Sequence, residues 1–509
     1  MLPTITRGQR HRFALYCALV SLLTGAQAFA EPVRTSYAIK AHYEPTAHTL
    51  HGELHLEFVN DARVPVRELV FHLYLNAFEG RQSVFIREGG EHWRNSQLRE
   101  TGSCRLLELR LADGRDLLAG AEHELVPQDH TQLRVTLPTA VAPGHRILLR
   151  ARFVSVLPAL VVRSGFAADY ALWGQFFPKL AKLEADGHFE SFPYHGLGEF
   201  YADFADYELQ LELPQAQRLA CNADLVRSET RAALRTDTYR GNRLLDVACV
   251  SGQRLHVFSF EADHEPRIDV VAEPSFWLAA RRQAALARFA LRYLGARLGP
   301  YPYAALRIAI APPPARAAAG MEFPGLVTTW GVRTTPPGFF AAVEQDAAVA
   351  HEIAHQWFPG LVATHEVRSP WLDEGLAQWL GADVQRAWYA QRSPLARWLW
   401  PDPDPFTGMR ALSAATHVYT SSLQPAYSYD LPQLVQAVYV RPALLLEAVR
   451  KRWGSARLLA ALGQYARTHR FGHPTQAQLF ESFDHHYWAG FSGRWLLPAL
   501  RERQSELLP

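Results

Sequence analysis

Residues 346–380, DAAVAHEIAHQWFPGLVATHEVRSPWLDEGLAQWL, carry the side chains best suited to chemistry. His351, Glu352 and His355 come first, and eighteen residues then separate His355 from Glu374. Histidines four apart on a helix share a face, because 3.6 residues make one turn. Such a face can hold a divalent metal between two imidazoles, with Glu352 beside it to take a proton from water. Glu374, on what reads as a second helix, can supply a third ligand, and three protein ligands leave a fourth tetrahedral position open. This is the donor set of hydrolytic zinc chemistry. The plainer alternative is a core helix that happens to carry histidines.

Other histidines do not join the set. His365, His417, His485 and His486 fall outside any ligand spacing. Asp373, next to Glu374, reads either as a support for a ligand or as a helix-start residue.

The elements that must position these groups can be read from periodicity. From about residue 35 to 268 short alternating runs dominate, among them TLHGELHLEF (49–58), ELVFHLYL (68–75), HRILLRARF (145–153) and DYELQLEL (206–213). Turn residues separate them, which predicts a large antiparallel β domain. The aromatic-rich stretch 168–207 reads mainly as packing. At about 275 the period changes to helical, and SFWLAARRQAALARFALRYLGARLG predicts a long helix ended by Gly299 and Pro300. YAALRIAIAP follows with strand character, and GMEFPGLVTTW (320–330) reads as another strand, at a sheet edge because Pro324 cannot donate to a ladder. Beyond 400, PALLLEAVRKRW, SARLLAALGQYARTH and TQAQLFESFDHHYW have helical spacing. Pro442 fits the first turn of its helix, which would put Tyr439 in the loop before it. The fold class is therefore multidomain α+β. The expected divisions are 1–30, 31–268 (β-rich), 269–400 (catalytic) and 401–509 (helical, completing the site).

With 52 basic and 50 acidic residues the net charge is +2, which gives no reason to expect nucleic acid or an anionic membrane surface as a partner. Arg7, Arg10 and Arg12 precede the apolar run 13–26, followed by Ala28-Phe29-Ala30. That layout predicts a secretory signal peptide and a periplasmic or extracellular product, with an uncleaved N-terminal anchor as the other reading. No other stretch approaches the length of a membrane span. Of the cysteines left after cleavage, Cys221 and Cys249 flank a plausible hairpin and could pair, leaving Cys104 over. None lies in a CxxC pattern, so a thiolate metal site is not expected.

HEIAHQWF followed by WLDEGLA resembles the gluzincin zinc aminopeptidases, the family of aminopeptidase N and leukotriene hydrolase. GMEFP (320–324) resembles that family's glutamate-bearing strand, and VYVRPALLLEAVR (438–450) its tyrosine segment. GEFYADFADYELQLELP (198–214) and LGPYPYAALRI (298–308) lend support. The resemblance implies a β-rich N-terminal domain, a thermolysin-like catalytic domain and a helical C-terminal part. It implies one Zn²⁺ per chain on His351, His355 and Glu374, Glu352 as general base, and Tyr439 as donor to the oxyanion. By residue type alone Tyr427 or Tyr429 would serve as well as Tyr439. Glu322, with Gly320 and Met321, is implied to bind the substrate, its carboxylate pairing with a free α-ammonium. The expected activity is removal of N-terminal residues from peptides. An endopeptidase on the same scaffold, or an inactive peptide-binding relative, are the competing readings. Three positions depart from the family pattern: Phe323 replaces an asparagine, Gly320 directly precedes Met321, and Pro442 stands where a glycine is expected.

Overall fold

The computed structural model describes residues 35–89, 97–123, 125–160, 162–332, 339–399, 403–416 and 420–501; the expected signal segment and His417 lie outside them. Alternating burial turns the N-terminal runs into a seven-stranded sheet. Its strands lie in the order Asp224–Arg231, Leu234–Leu244, Ala205–Pro214, Ser36–Glu44, Thr49–Val59, Arg146–Val156 and Ser103–Leu111. The sheet differs from the expected all-antiparallel pattern at one pair, Ser36–Glu44 with Ala205–Pro214, which is parallel. The long excursion between Val156 and Ala205 supplies the crossover that a parallel pair requires. Smaller sheets complete this region, and most of the aromatic stretch packs as expected: Trp173, Phe176, Phe177, Tyr194 and Tyr207 are buried.

Cys221 pairs with Cys249 across adjacent antiparallel strands and the two form a disulfide, while Cys104 is free and buried. The backbone register that brings the two sulfurs together is the hairpin-like pairing anticipated from their flanks.

The second sheet runs His256–Phe260, Arg267–Ala272, Ala305–Ala311, Leu326–Trp330. Its last three strands are parallel, and the helix Trp277–Leu298 makes the crossover between Arg267–Ala272 and Ala305–Ala311. That helix buries Ala280, Ala284, Ala287, Leu291, Leu294 and Leu298, one face at spacings of three and four. Ala305–Ala311 is buried along its whole length, as a parallel strand covered on both faces should be. The boundary expected between residues 268 and 269 falls inside the strand Arg267–Ala272, and Thr35–Pro509 make up one compact unit. Helices Arg441–Trp453, Ser455–Thr468 and Gln476–His486 form the C-terminal part. Among the described residues no helix is long and apolar enough to cross a membrane.

Two local expectations are corrected. The run 320–330 is a strand only from Leu326; Gly320 and Met321 turn back beside Thr328, with the Gly320 N–H on the Thr328 carbonyl at 2.8 Å. Pro324 and Gly325 (φ +81°) occupy the turn between, closed by the Leu326 N–H on the Phe323 carbonyl at 2.9 Å. Proline then glycine with positive φ is the type II pattern. Leu326–Trp330 is nonetheless the last strand of its sheet, so the expected edge position holds.

Tyr439 lies in no loop. It belongs to a π-helical segment, Val435–Val440, that runs straight into Arg441–Trp453. Pro442 has no N–H and its ring crowds the carbonyl four residues back, so a straight α-helix would break here. The wider turn, with the Arg441 N–H bonded to the Gln436 carbonyl, lets the helix pass through.

Candidate metal centre and substrate cleft

The helix Phe339–Ala354 carries His351 and Glu352, and His355 follows on its last turn, its N–H on the His351 carbonyl at 3.3 Å. The helix Glu374–Tyr389 crosses it at close range. A Cβ on Gly381 would sit 2.8 Å from the His351 backbone, and one on Gly375 only 2.6 Å from Pro442 and 3.0 Å from the Val438 carbonyl. Glycine at both places is what allows the Glu374 helix to lie against His351 on one side and the Tyr439 segment on the other.

The result is a compact donor set. His351 Nε2 and His355 Nε2 are 3.0 Å apart, and Glu374 Oε2 lies 3.2 and 3.3 Å from them. Tetrahedral ligands about 2.0–2.1 Å from a zinc ion stand roughly 3.3–3.4 Å from one another, so the three atoms are spaced for one. His355 is 1 % exposed, and its other nitrogen faces both Asp373 Oδ1 and the Phe358 carbonyl at 2.8 Å. That fixes Nε2 as the nitrogen turned to the metal position. Asp373 makes no capping bond to its helix, so of its two readings the geometry selects ligand support.

The electrostatics fit the same purpose. Burial alone would raise Glu374, but the two imidazoles outweigh it and hold the carboxylate below its usual range. Burial would lower His355, yet Asp373 and Glu374 hold it well above the ordinary histidine value. His351 is lowered by burial and by the charge of His355. This is a negative pocket that stabilises positive charge between the rings.

Glu352 is buried beside this set. The Tyr439 hydroxyl donates to Glu374 Oε1 at 2.5 Å, and burial, then Glu374, raise it well above the usual tyrosine value. Tyr429 instead donates to the Ser421 carbonyl, and Tyr427 is half exposed against His195. Of the three tyrosines, Tyr439 is the one brought to the metal centre.

Glu322 stands at the mouth of the 323–326 turn, near enough to His355 and Glu374 for their charges to act on it, and burial raises its pKa. The turn is held from both sides. Gln356, the residue after His355, accepts from the Gly325 N–H at 2.8 Å and donates to the Phe323 carbonyl at 3.3 Å. Asn222, the residue after Cys221, donates to the Pro324 carbonyl at 2.9 Å. Phe323 and Met321 are buried in one apolar cluster. A Cβ on Gly174 would lie 3.2 Å from the Phe323 ring. The departure from the family asparagine is therefore accommodated by core packing.

A small cleft of about 50 Å³ opens beside Glu322, with Glu199, Glu366 and Thr364 among its lining residues. Sequence reasoning did not single out Glu199, Glu366, Arg163, Gln356 or Asn222. Glu199 lay within the GEFYADF segment, but nothing in that segment distinguished it from other surface-type carboxylates. His365 stacks on Tyr201 and approaches Glu190, away from the ligand set.

Residues 290–491 match the peptidase family M1 domain. This region is a member of that family. Aminopeptidase 2 of Candida albicans is 26% identical over 224 residues, covering 42% of this chain and 23% of that protein. Mitochondrial aminopeptidase 2 of Saccharomyces cerevisiae is 27% identical over 144 residues, 26% of this chain and 14% of its own. The chain thus spans less than a quarter of the length of these relatives. The M1 zinc metallopeptidase of Deinococcus radiodurans superposes with a TM-score of 0.62 at 16% identity, over 94% of this chain and 95% of its own. A mutant of the Deinococcus enzyme was solved with a Tyr-Ser-Ala substrate. The likeness extends the M1 fold over the β-rich, catalytic and helical parts alike.

Proposed function

We infer that the protein is a zinc-dependent aminopeptidase that removes single residues from the free N-terminus of peptides. The observation that carries this reading is the pairing of a three-atom zinc-spaced donor set with a half-buried carboxylate, Glu322, set close beside it on a separate turn. His351, His355 and Glu374 would hold the metal. When bound, zinc polarises the scissile carbonyl and acidifies water at its open position. Glu352 takes the proton from the attacking water and passes it to the leaving amine. Tyr439 turns its hydroxyl from Glu374 to the developing oxyanion, and removing one such donor typically costs about 2.7–4 kcal/mol. Glu322 meets the α-ammonium and sets the scissile bond one residue from the chain end. Met321 and Phe323 pack behind it, and Gly320 joins the hairpin edge beside it.

Export is part of the proposal. The basic, apolar and small-residue order of residues 7–30 supports it, and so does the Cys221–Cys249 disulfide, since such bonds persist in oxidising compartments. N-terminal sequencing of protein recovered outside the cytoplasm tests it: a mature end near Glu31 is expected, and retention of Met1 in the cytoplasmic fraction refutes it.

The activity is tested with aminoacyl fluorogenic amides, their N-acetylated forms and internally quenched peptides. Free-amine substrates should be cleaved and acetylated ones not. Glu352→Ala should lose nearly all turnover while keeping its zinc, and Glu322→Ala should chiefly weaken free-amine substrates. Cleavage of blocked or internal bonds at comparable rates points to an endopeptidase. No turnover with zinc bound points to a binding protein.

A further inference from the structure

The chain's net charge of +2 is not spread evenly. Residues 448–501 hold eight Lys and Arg against two acids, Glu481 and Asp484, and the run 448–480 has no acid at all. Asp484 is occupied within the fold, accepting from the N–H groups of Gly490 and Ser492 at 3.2 and 2.6 Å. Charge segregated in this way marks a surface for an anionic partner, which a net charge near zero conceals.

Four of these cations, Lys451, Arg452, Arg457 and Arg494, are exposed on and around a bed of aromatic rings. Trp453, which ends the helix Arg441–Trp453, meets Trp488 and Trp495 with centroids 5.9 and 5.5 Å apart, and Tyr487 stacks on Phe491 at 4.2 Å. The Arg452 guanidinium lies over both Trp453 and Trp495, Arg494 over Trp495, and Arg457 over Tyr487, at 4.8–5.6 Å from the ring centroids. Trp488 remains 40 % exposed. None of the four cations forms an ion pair among the described residues. Exposed arginines elsewhere do: on the seven-stranded sheet Arg146, Arg152 and Arg240 meet Glu57, Glu108 and Glu208 at 2.8–3.0 Å. The difference leaves the N–H donors of this face for an anion from outside the chain.

The rings decide what kind of anion. Guanidiniums and neighbouring rings already lie on Trp453, Trp495 and Tyr487, which removes the stacking platforms that single-stranded nucleic acid uses. A phosphate surface needs no such platform, and guanidinium groups match phosphate geometry. An exposed indole, apolar with one N–H, suits the boundary between headgroups and acyl chains.

We propose that this face docks the protein on an anionic lipid bilayer, with Lys451, Arg452, Arg457 and Arg494 pairing with headgroup phosphates and Trp488 entering the headgroup layer. The contact is peripheral and independent of the peptidase reading, since none of these residues belongs to the metal centre.

The test is co-sedimentation with vesicles of phosphatidylcholine, with and without phosphatidylglycerol. It uses the chain from Glu31 onward, which contains the whole compact unit 35–509 and lacks the apolar run 13–26. One basic residue near an anionic surface contributes about fivefold in affinity. Wild type should therefore bind the phosphatidylglycerol vesicles at least about tenfold more tightly than neutral ones, and about 0.5 M salt should release it. The double variant Lys451→Gln, Arg494→Gln should lose about 25-fold, and Arg494→Lys should bind like wild type. Trp488→Ala should weaken binding by about tenfold from the apolar area it no longer buries, and wild-type indole fluorescence should shift to the blue on vesicles. Melting temperature and zinc content confirm that each variant is folded. Equal binding to neutral and acidic vesicles, or none to either, overturns the inference. So does tighter binding to a single-stranded oligonucleotide than to the acidic vesicles, which would make the face a nucleic-acid site. Dimers in solution that Trp488→Ala dissociates would also overturn it, by making the face a contact between copies of the chain.

Discussion

Asp373→Asn isolates the electrostatic part of the metal centre's support. Asp373 and His355 are both essentially without solvent contact and meet at 2.8 Å, while the Phe358 carbonyl lies 2.8 Å from the same nitrogen. Asparagine keeps the shape and an acceptor oxygen, and the Phe358 carbonyl still fixes the tautomer, so the ring should hold its orientation. What is lost is the charge. A hydrogen bond to a charged group contributes about 1.5–3 kcal/mol and a neutral one about 0.5–1.5, a difference of about 1–1.5 kcal/mol. That corresponds to about a tenfold weaker zinc Kd, at the lower end of the range seen when such partners are removed. Competition with a chromophoric chelator measures it, and kcat/KM of the zinc-saturated variant should stay within a few-fold of wild type. A zinc Kd within twofold of wild type would refute the reasoning. So would a variant that binds zinc as tightly as wild type yet is inactive when loaded, because the charge would then act on the chemistry and not on the ligand.

Gln356→Leu removes the tie between the metal helix and the Glu322 turn and orphans the buried Gly325 N–H, a cost of about 1–3 kcal/mol. A displaced Glu322 should raise KM for free-amine substrates by about three- to tenfold with kcat nearly unchanged; a lower melting temperature with an unchanged KM would rule out the positioning role. Replacing Cys221 and Cys249 by alanine opens a loop of sequence separation 28, which the chain-entropy relation sets at about 3.5 kcal/mol. Urea midpoints of the variant and of the oxidised wild type report it, and coincident midpoints would contradict the estimate.

Legibility in the sequence followed the range of the interactions. His351, Glu352 and His355 could be named because an i, i+4 relation on a helix is fixed by local geometry, and Glu374 because its spacing belongs to a two-helix unit. The helix Trp277–Leu298 and the strands 49–58, 145–153 and 206–213 were legible for the same reason: burial of one face writes its period into the chain. The partner of His355 was not legible, since Asp373 looks identical whether it caps a helix or supports a ligand. Nor was the state of Tyr439, because a proline three residues on signals a helix start unless a π turn absorbs it.

Everything that depended on distant segments meeting was decided by the tertiary structure. Glu199 and Glu366 reach Glu322 from opposite sides of the sequence, and Asn222 and Gln356 grip one turn from two regions. The choice of Tyr439 over Tyr427 and Tyr429 came from two glycines that let three helical segments crowd together. Spacing along a chain encodes which residues share a face. Only packing, which balances burial over the whole 35–509 unit, decides which faces meet.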